Sequence, residues 1–228
     1  MTHITNKINA ILLKVREYES KYDRESHSVS LLAVSKKHSI RSIQEAAANG
    51  ILNFGENYLQ EATDKITALS MHNLTWHYIG PVQSNKTRKI AQNFDWVQSI
   101  DRKKIASRLN EHRANLLLPP LNICIQVNLS NEESKSGISL EETEELCLFA
   151  NGLSNVRLRG LMSIPAPELD LDTQRGSFVE LADKFVELQQ KFPSMDTLSI
   201  GMSSDFEAAI AEGSTMIRLG TALFGPRT

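Results

Sequence analysis

The chain has 228 residues, of which 41% are hydrophobic, and this suits one large domain or two small ones with a sizeable core. Its formal net charge is −2 at pH 7 and its isoelectric point is about 6.3. Nucleic-acid-binding proteins normally carry a basic excess, so we expect no nucleic-acid partner.

The first half of the chain predicts an N-terminal helix followed by four strand–helix pairs. Hydrophobic residues recur at helical spacing over residues 4–22. The predicted strands cover residues 30–35, 51–54, 75–79 and 96–100, and the helices after them run over 40–49, on to 69, over 83–93 and over 101–117. We expect Ser39 and Asp101 to cap the helices that follow them.

The second half repeats the same alternation four times. The predicted strands cover residues 121–129, 156–164, 198–202 and 215–219. The spacing of Ser139 and Glu142, and of Ser204 and Glu207, predicts capping boxes for helices that stop near residues 152 and 213. A longer helix is predicted over residues 174–192, where apolar residues form one stripe.

Eight strands that alternate strictly with helices predict an α/β protein with parallel strands. Eight such units suggest a single closed (β/α)8 barrel of the TIM type, with one extra N-terminal helix. A doubly wound open sheet is the alternative, although no GxGxxG motif follows the first strand. Because no linker rich in Gly, Ser or Pro interrupts the chain, we predict one domain over residues 1–228.

The cysteines and the N-terminus bear on where the protein works. Cys124 and Cys147 stand far apart and form no CxxC pair, so we expect no disulfide framework, no metal site and a reducing compartment. Residues 1–9 are polar and lack the apolar region of a signal peptide. No stretch is long and apolar enough to cross a bilayer. We therefore predict a cytoplasmic protein without a membrane partner.

The first predicted strand delivers a lysine. The apolar run over residues 30–35 ends in Ser35 and is followed directly by Lys36. At the mouth of a core, desolvation disfavours the ammonium form and exposes the nucleophilic amine. Lys36 is therefore a candidate Schiff-base lysine, although for one strand-end lysine taken alone simple exposure to solvent is the stronger interpretation.

Glycines and hydroxyl side chains follow the last two strands. Ser203 and Ser204 come after the seventh strand, and Gly220 and Thr221 after the eighth. The C-terminal strand ends form the active face of such a barrel, and phosphate sites recur after strands seven and eight. Serines at a helix start can bind an anion with the free N–H groups there. Each residue alone favours a cap or a turn, but together they favour a phosphate site.

Arg218 completes a set that describes one cofactor. It lies two residues before Gly220, so both face the same side of the strand. Its partner is either a carboxylate inside the barrel or a ring nitrogen of a bound cofactor. A Schiff-base lysine, a phosphate cradle and a ring-nitrogen partner together describe pyridoxal 5′-phosphate. Since arginine does not readily give up its proton, it would leave the pyridine nitrogen unprotonated, which weakens the electron sink of the cofactor.

For other polar residues, the sequence favours burial in the core or exposure to solvent over a role in binding or catalysis. His77 alternates with apolar residues in a strand and is predicted to be buried rather than catalytic. Lys86, Arg88 and Lys89 form a basic helix face that we expect to be solvated. Lys135 lies in a polar loop, where exposure is favoured over contact with a ligand phosphate.

Seven motifs, in order, resemble the pyridoxal phosphate homeostasis protein family. They are AVSK at 33–36, FGENY at 54–58, HYIGPVQSNK at 77–86, KSG at 135–137, RGLM at 159–162, SIGMSSD at 199–205 and RLGTALFG at 218–225. The resemblance covers nearly the whole chain. It implies a barrel like the N-terminal domain of alanine racemase, with pyridoxal phosphate as a Schiff base on Lys36.

The resemblance also implies roles for individual residues. The phosphate would be held by Ser203, Ser204, Gly220 and Thr221, and Arg218 would face the pyridine nitrogen. Asn57 would lie beside the cofactor, and Met202, next to the serines, is counted with the binding residues. No catalytic residue is implied. The family is thought to buffer or deliver pyridoxal phosphate, with dependent apoenzymes as recipients, and to influence amino-acid and keto-acid pools.

Two departures from the family pattern affect what can be carried over. Lys37-His38 stands where a familiar bacterial version has Thr-Lys, which puts a relay role for a second lysine there in doubt. The sequence stops at Arg227-Thr228 without the short basic tail of some members. We therefore expect no second cofactor-accepting lysine at that end.

Two enzymes are the alternatives to a non-catalytic carrier. An amino-acid racemase built on this barrel needs a second, β-rich domain that supplies a tyrosine base, but only nine of the 228 residues follow residue 219 and the last tyrosine is Tyr78. A Schiff-base aldolase usually takes its lysine from a later strand, and the predicted sixth strand has none. We therefore predict a carrier, and a monomer because no apolar stripe is left over.

Overall fold

The eight strands close into a barrel in the computed structural model of the chain, which describes residues 3–129 and 136–225. Each strand pairs in parallel with the next in sequence, and the eighth pairs with the first. The strands are β1 Ser30–Val34, β2 Asn53–Glu56, β3 Thr75–Tyr78, β4 Trp96–Ile100, β5 Leu121–Val127, β6 Val156–Ser163, β7 Thr197–Ser199 and β8 Met216–Leu219. The predicted (β/α)8 barrel is therefore confirmed, and the open doubly wound sheet is excluded.

Helices surround the barrel in the described residues. They are α1 His3–Lys21, α2 Ile40–Ala48, α3 Leu59–Ala68, α4 Thr87–Asn93, α5 Lys103–Asn115, α6 Thr143–Asn151, α7 Leu171–Lys191, α8 Phe206–Ala211 and α9 Thr221–Phe224, with 3₁₀ turns at Ser70–His72 and Ser84–Lys86. The extra helix α1 buries Ile8, Ile11 and Val15 and packs against α2, α8 and α9. None of these described helices is both long and apolar enough to span a bilayer.

Burial on both faces explains the composition of the strands. Strands of a parallel barrel pack against helices outside and against one another inside, so they are apolar along most of their length. In β5, for example, Ile123, Cys124 and Ile125 are all fully buried. The polar residues that do lie inside the barrel therefore need hydrogen-bond partners there.

Two predicted helix caps are wrong because other partners take the side chains. Asp101 does not cap α5, since its carboxylate pairs with Arg102 at 2.6 Å and the helix begins at Lys103. Glu207 forms no capping box with Ser204, because its carboxylate accepts hydrogen bonds from Lys21 and Tyr22 of α1. Local spacing could not reveal these partners.

The capping box of Ser139 and Glu142 is present but lies before the helix. The Ser139 N–H donates to the Glu142 carboxylate at 3.0 Å, and the Glu142 N–H donates to Ser139 Oγ at 3.4 Å. These bonds close a turn, and α6 begins only at Thr143. Likewise α7 begins three residues earlier than predicted, because Asp170 caps it by accepting from the Thr173 N–H at 2.9 Å.

Two strand boundaries also differ from the sequence prediction. β2 covers Asn53–Glu56, two residues later than predicted, so Gly55 and Glu56 belong to the strand. β7 ends at Ser199 because Gly201 adopts φ +95°, outside the extended region. The residues after Ser199 therefore turn over the top of the barrel instead of extending the sheet.

Candidate functional site

A pocket of about 260 Å³ lies at the C-terminal ends of the strands. All eight residues that the sequence assigns to cofactor binding line it: Lys36, Asn57, Met202, Ser203, Ser204, Arg218, Gly220 and Thr221. Val34, Ile79 and Ile164 add apolar wall. The fold thus brings the Lys36 amine, the Arg218 guanidinium, several hydroxyl groups, the Asn57 amide and Gly220 to a single opening.

Lys36 is carried by a tight turn immediately after β1. The His38 N–H donates to the Ser35 carbonyl at 3.0 Å, which closes a four-residue turn with Lys36 in its second position. Lys37 takes the third position with φ +61°, the left-handed value that a type II turn requires. That conformation costs a non-glycine residue about 1–2 kcal/mol, so surrounding contacts must hold it.

A buried ion cluster holds this turn from the outer side of the barrel. Lys65 Nζ donates to Glu56 at 2.7 Å, to Glu61 at 2.6 Å and to the Ser35 carbonyl at 2.7 Å. Ser35 Oγ donates to Glu56 at 2.6 Å, and the Lys37 N–H donates to Glu61 at 2.6 Å. The residues on both sides of Lys36 are therefore fixed by the same three charged side chains.

This positioning cluster, Glu56, Glu61 and Lys65, was missed by the sequence reasoning. Lys65 is only 5% exposed and Glu56 is fully buried. Burial raises the pKa of Glu56, while the hydrogen bonds from Lys65 and Ser35 act against that rise. The four-residue spacing of Glu61 and Lys65 on a helix was a usable signal for that pair. The third member, Glu56, could be found only from the barrel geometry.

Hydroxyl groups and Gly220 form the part of the pocket expected to hold a phosphate, and Gly201 lies in the segment that leads to the serines. Ser203, Ser204 and Thr221 are exposed at the opening, and Ser203 Oγ accepts a long hydrogen bond of 3.4 Å from the Ala222 N–H. Gly201 cannot be replaced without a clash, because an added Cβ would lie 2.6 Å from the Cβ of Ala209. The hydroxyls of Ser203, Ser204 and Thr221, from the segments after β7 and β8, line one pocket.

Arg218 reaches the pocket from inside the barrel and is 4% exposed. Its guanidinium donates to the Ser199 carbonyl at 2.5 Å, to Ser199 Oγ at 2.8 Å and to the Ser163 carbonyl at 2.8 Å. The carboxylate partner considered from the sequence is thus replaced by carbonyl and hydroxyl oxygens. Burial lowers the pKa of Arg218 to about 10, so the guanidinium stays charged at neutral pH.

The hydrogen bonds continue from Arg218 across the barrel interior. Ser199 Oγ donates to Gln98 Oε1 at 2.7 Å, and Gln98 Nε2 donates to His77 Nδ1 at 3.0 Å. His77 Nε2 then donates to Asn53 Oδ1 at 3.1 Å, which assigns the Nε2–H tautomer. His77 is fully buried, as predicted, and burial lowers its pKa to about 3. Gln98 gave no recognisable signal in the sequence, and Ser199 was noted only as part of the motif at 199–205.

Comparison with known proteins agrees with this geometry. Residues 10–228 match the family model described as alanine racemase, N-terminal domain. The chain is 48% identical over 227 residues to the pyridoxal phosphate homeostasis protein of Pseudomonas aeruginosa, covering 100% of this chain and 97% of that one. It is 47% identical over 230 residues to the protein of the same name from Escherichia coli K12, covering 100% and 98%.

The chain belongs to the pyridoxal phosphate homeostasis protein family. Among solved structures, PipY of Synechococcus elongatus with pyridoxal phosphate bound is 37% identical and superposes with a TM-score of 0.79, covering 92% of this chain and 100% of that one. Alanine racemase of Clostridium difficile in complex with cycloserine is 13% identical with a TM-score of 0.70, covering 94% and 59%, and shows the shared fold. The predicted family and the predicted likeness to alanine racemase are both confirmed.

The two departures from the family pattern are only partly visible. The ring of His38 packs in a tilted arrangement against Phe224 of α9, with ring centroids 4.8 Å apart, so this position packs an aromatic ring instead of offering a second amine. Lys37 is exposed. Lys135 and the terminal Arg227-Thr228 lie outside the described residues.

Proposed function

We propose that this protein holds pyridoxal 5′-phosphate as a Schiff base on Lys36 and acts in the homeostasis and delivery of this cofactor inside the cell. Its effect on amino-acid and keto-acid pools is then indirect. The observation that carries the proposal is the convergence of Lys36, Arg218 and the hydroxyl group cluster around one pocket. The relative from Synechococcus elongatus, which was solved with pyridoxal phosphate, supports it.

The pocket residues fit each part of the cofactor. The amine of Lys36 suits the aldehyde, the hydroxyls of Ser203, Ser204 and Thr221 suit the phosphate, and the guanidinium of Arg218 suits the ring nitrogen. In addition, Asn57 Oδ1 is buried without a hydrogen-bond partner among the described groups. A buried acceptor in that state is costly unless a ligand or water reaches it.

Within the site, each residue has a definite task. When bound, pyridoxal phosphate supplies an aldehyde that exchanges reversibly between amines. The turn at 35–38 and the positioning cluster present the amine of Lys36 at the opening. Arg218 remains protonated, so with the cofactor bound it would donate to the ring nitrogen and keep a proton off it. These features favour holding the cofactor over activating it.

The composition of the pocket supports a carrier rather than a racemase. Two-sided proton exchange requires a second acid or base across from Lys36. Among the described residues that line the pocket, none is Tyr, His, Cys, Asp or Glu. We therefore propose a non-catalytic role.

We further propose that the chain works as a single, monomeric barrel domain in the cytoplasm and hands the cofactor to dependent apoenzymes. Closure of β8 onto β1 leaves no free sheet edge that could pair with another chain. Cys124 and Cys147 are both free and buried, which agrees with a reducing compartment. Sedimentation velocity of the loaded protein should give the mass of one chain, and a dimer mass would contradict the monomer.

The experiment that tests the proposal combines spectra and activity assays. The purified protein loaded with pyridoxal phosphate should absorb in the visible range, and Lys36→Ala should abolish this absorbance. Racemisation, transamination and decarboxylation should stay near background across a panel of amino acids. An unchanged spectrum in Lys36→Ala would remove the proposed attachment, and robust turnover of any one amino acid would replace the carrier by an enzyme.

A further inference from the structure

A second and wider hollow opens on the same rim, directly beside the pocket. It has a volume of about 620 Å³ and lies between the segments that follow β2 and β3. Asn57 lines both hollows. Its backbone packs so closely against Gly80 that an added Cβ there would lie 2.5 Å from the Asn57 carbonyl oxygen. We call this hollow the rim cleft, and anything bound in it stands next to the pocket.

Aromatic side chains form one side of the rim cleft. Tyr58, next to Asn57 in the chain, is 50% exposed. Tyr78 is buried below it and donates through its hydroxyl to the Pro81 carbonyl at 3.3 Å. Half-exposed tyrosines of this kind are enriched where proteins meet, because they offer a large contact area with a polar end.

Lysines form the other side of the rim cleft. Lys86 and Lys89 line the rim cleft, and Arg88 is exposed beside them. Within the part of the chain that the structure describes, none of the three forms an ion pair, whereas the exposed Lys21, Lys191 and Lys103 all pair with glutamates. The sequence has no Asp or Glu between Asp64 and Asp95. This cationic group contrasts with the net charge of −2 of the whole chain.

The neighbouring helices do not cancel this charge. On α3, the charge of Glu61 is paired with Lys65. Asp64 keeps its negative charge and accepts from the neutral side-chain amide of Gln60 at 3.1 Å, and among the described residues it forms no ion pair with Lys86, Arg88 or Lys89.

On the other side, α5 adds a further cation. Arg108 Nε donates to the Ser84 carbonyl at 3.0 Å, which brings its charge against the same segment. The pKa of His112 is lowered by burial and, after that, by Arg108 and Arg88, while Glu111 raises it. Arg108 therefore adds positive charge next to the segment that carries Lys86.

We propose that the rim cleft docks an acidic segment of a protein that accepts pyridoxal phosphate. This inference rests on the proposed function, since such an acceptor comes for the cofactor. The cleft is open and its lysines are exposed, so each charge contact alone is worth little and a small anion would gain little there. A protein segment that makes several contacts at once gains from charge complementarity and from faster encounter. Docking here places the acceptor beside Lys36.

The test compares two charge-matched double variants of the full chain. Lys86→Glu with Lys89→Glu reverses the rim cleft. Lys14→Glu with Arg157→Glu makes the same change in net charge at two exposed residues, on α1 and near the start of β6, that form no ion pair within the described part of the chain. Binding of the chain without cofactor is measured by biolayer interferometry on three immobilised apoenzymes: an aspartate aminotransferase, a tryptophan synthase β chain and an alanine racemase.

The expected result is binding of at least one apoenzyme that weakens about tenfold in the rim-cleft variant and less than about twofold in the control. Binding by the wild-type chain should also weaken between about 0.05 and 0.5 M salt. Equal binding by both variants, an equal loss in both, or no binding to any of the three overturns the proposal. The visible absorbance of each loaded variant is recorded separately. If the chain binds pyridoxal phosphate normally but binds none of the apoenzymes, only the docking proposal is overturned. If the chain takes up no cofactor at all, the docking proposal falls together with the proposed function.

Discussion

The polar side chains inside the barrel form one hydrogen-bonded chain that ends at Arg218. It runs through Ser199, Gln98 and His77 to Asn53, and every group donates away from the arginine. The direction is consistent only if His77 is neutral, with its proton on Nε2. A single buried histidine thus links the arginine's environment to the stability of the barrel.

The first prediction concerns His77 and pH. Because burial holds the pKa of His77 near 3 in the folded chain, the unfolded chain binds a proton at pH 5 that the folded chain does not. His77 should therefore cost the protein about 2 kcal/mol of stability between pH 7 and pH 5. Urea denaturation of wild type and of His77→Gln at pH 7 and at pH 5 measures this loss of stability. The variant should lose about that much less, and equal losses would contradict the buried neutral state.

The second prediction concerns Arg218 and the ring nitrogen. Arg218→Glu should allow the pyridine nitrogen of bound cofactor to be protonated and so shift its visible spectrum. Arg157→Glu, at an exposed residue near the start of β6, serves as the control and should leave the spectrum unchanged. If the spectrum of Arg218→Glu matched that of wild type, Arg218 would have to face elsewhere.

At the level of elements, the segment after β1 depends on β2 and α3. The Glu56–Lys65–Glu61 cluster joins these elements and forms hydrogen bonds to Ser35 and Lys37, the residues on either side of Lys36. A buried charge whose partner is removed costs several kcal/mol, since nothing replaces its lost hydration. The position of the predicted Schiff-base lysine is therefore set by side chains that do not line the pocket.

The third prediction tests this cluster. Lys65→Met should lower the free energy of unfolding by about 3–5 kcal/mol, because it leaves Glu56 buried and unpaired. Adding Glu56→Gln removes the buried charge and should restore a substantial part of that loss. The folded double variant should still bind pyridoxal phosphate more weakly than wild type, as measured by absorbance titration. Unchanged affinity would mean that the turn keeps its shape without the cluster.

The elements also show what sequence reasoning reaches. Alternating strand and helix patterns predicted all eight strands, and the residues assigned to cofactor binding from the strand ends and the family resemblance all line one pocket. Errors fell where a distant partner decides the outcome, as for Glu207, which binds Lys21 rather than capping α8. Gln98 and Glu56 were missed because only barrel closure shows which side chains are buried together.

At the level of the whole molecule, the barrel places the pocket and the rim cleft on one rim. The pocket and the rim cleft share Asn57, so a held cofactor and a docked acceptor would be neighbours. Any ligand that binds only the folded chain also stabilises it by mass action.

The fourth prediction follows from that linkage. Pyridoxal phosphate at about 100 times its dissociation constant should stabilise the folded chain by about 2.7 kcal/mol. For a chain of this size that corresponds to a rise in melting temperature of about 5–10 °C. Differential scanning calorimetry measures it, with Lys36→Ala expected to show a much smaller rise. Equal rises in both proteins would indicate that Lys36 adds nothing to binding.

The most direct test of the central claim is to trap the cofactor on the chain. Reduction of the loaded protein with borohydride fixes a Schiff base permanently, and peptide mass spectrometry then locates the modified lysine. We predict a phosphopyridoxyl group on the peptide that contains Lys36, and none at that site in Lys36→Ala. A wild-type protein that carries the group on another lysine, or on none, would contradict the account.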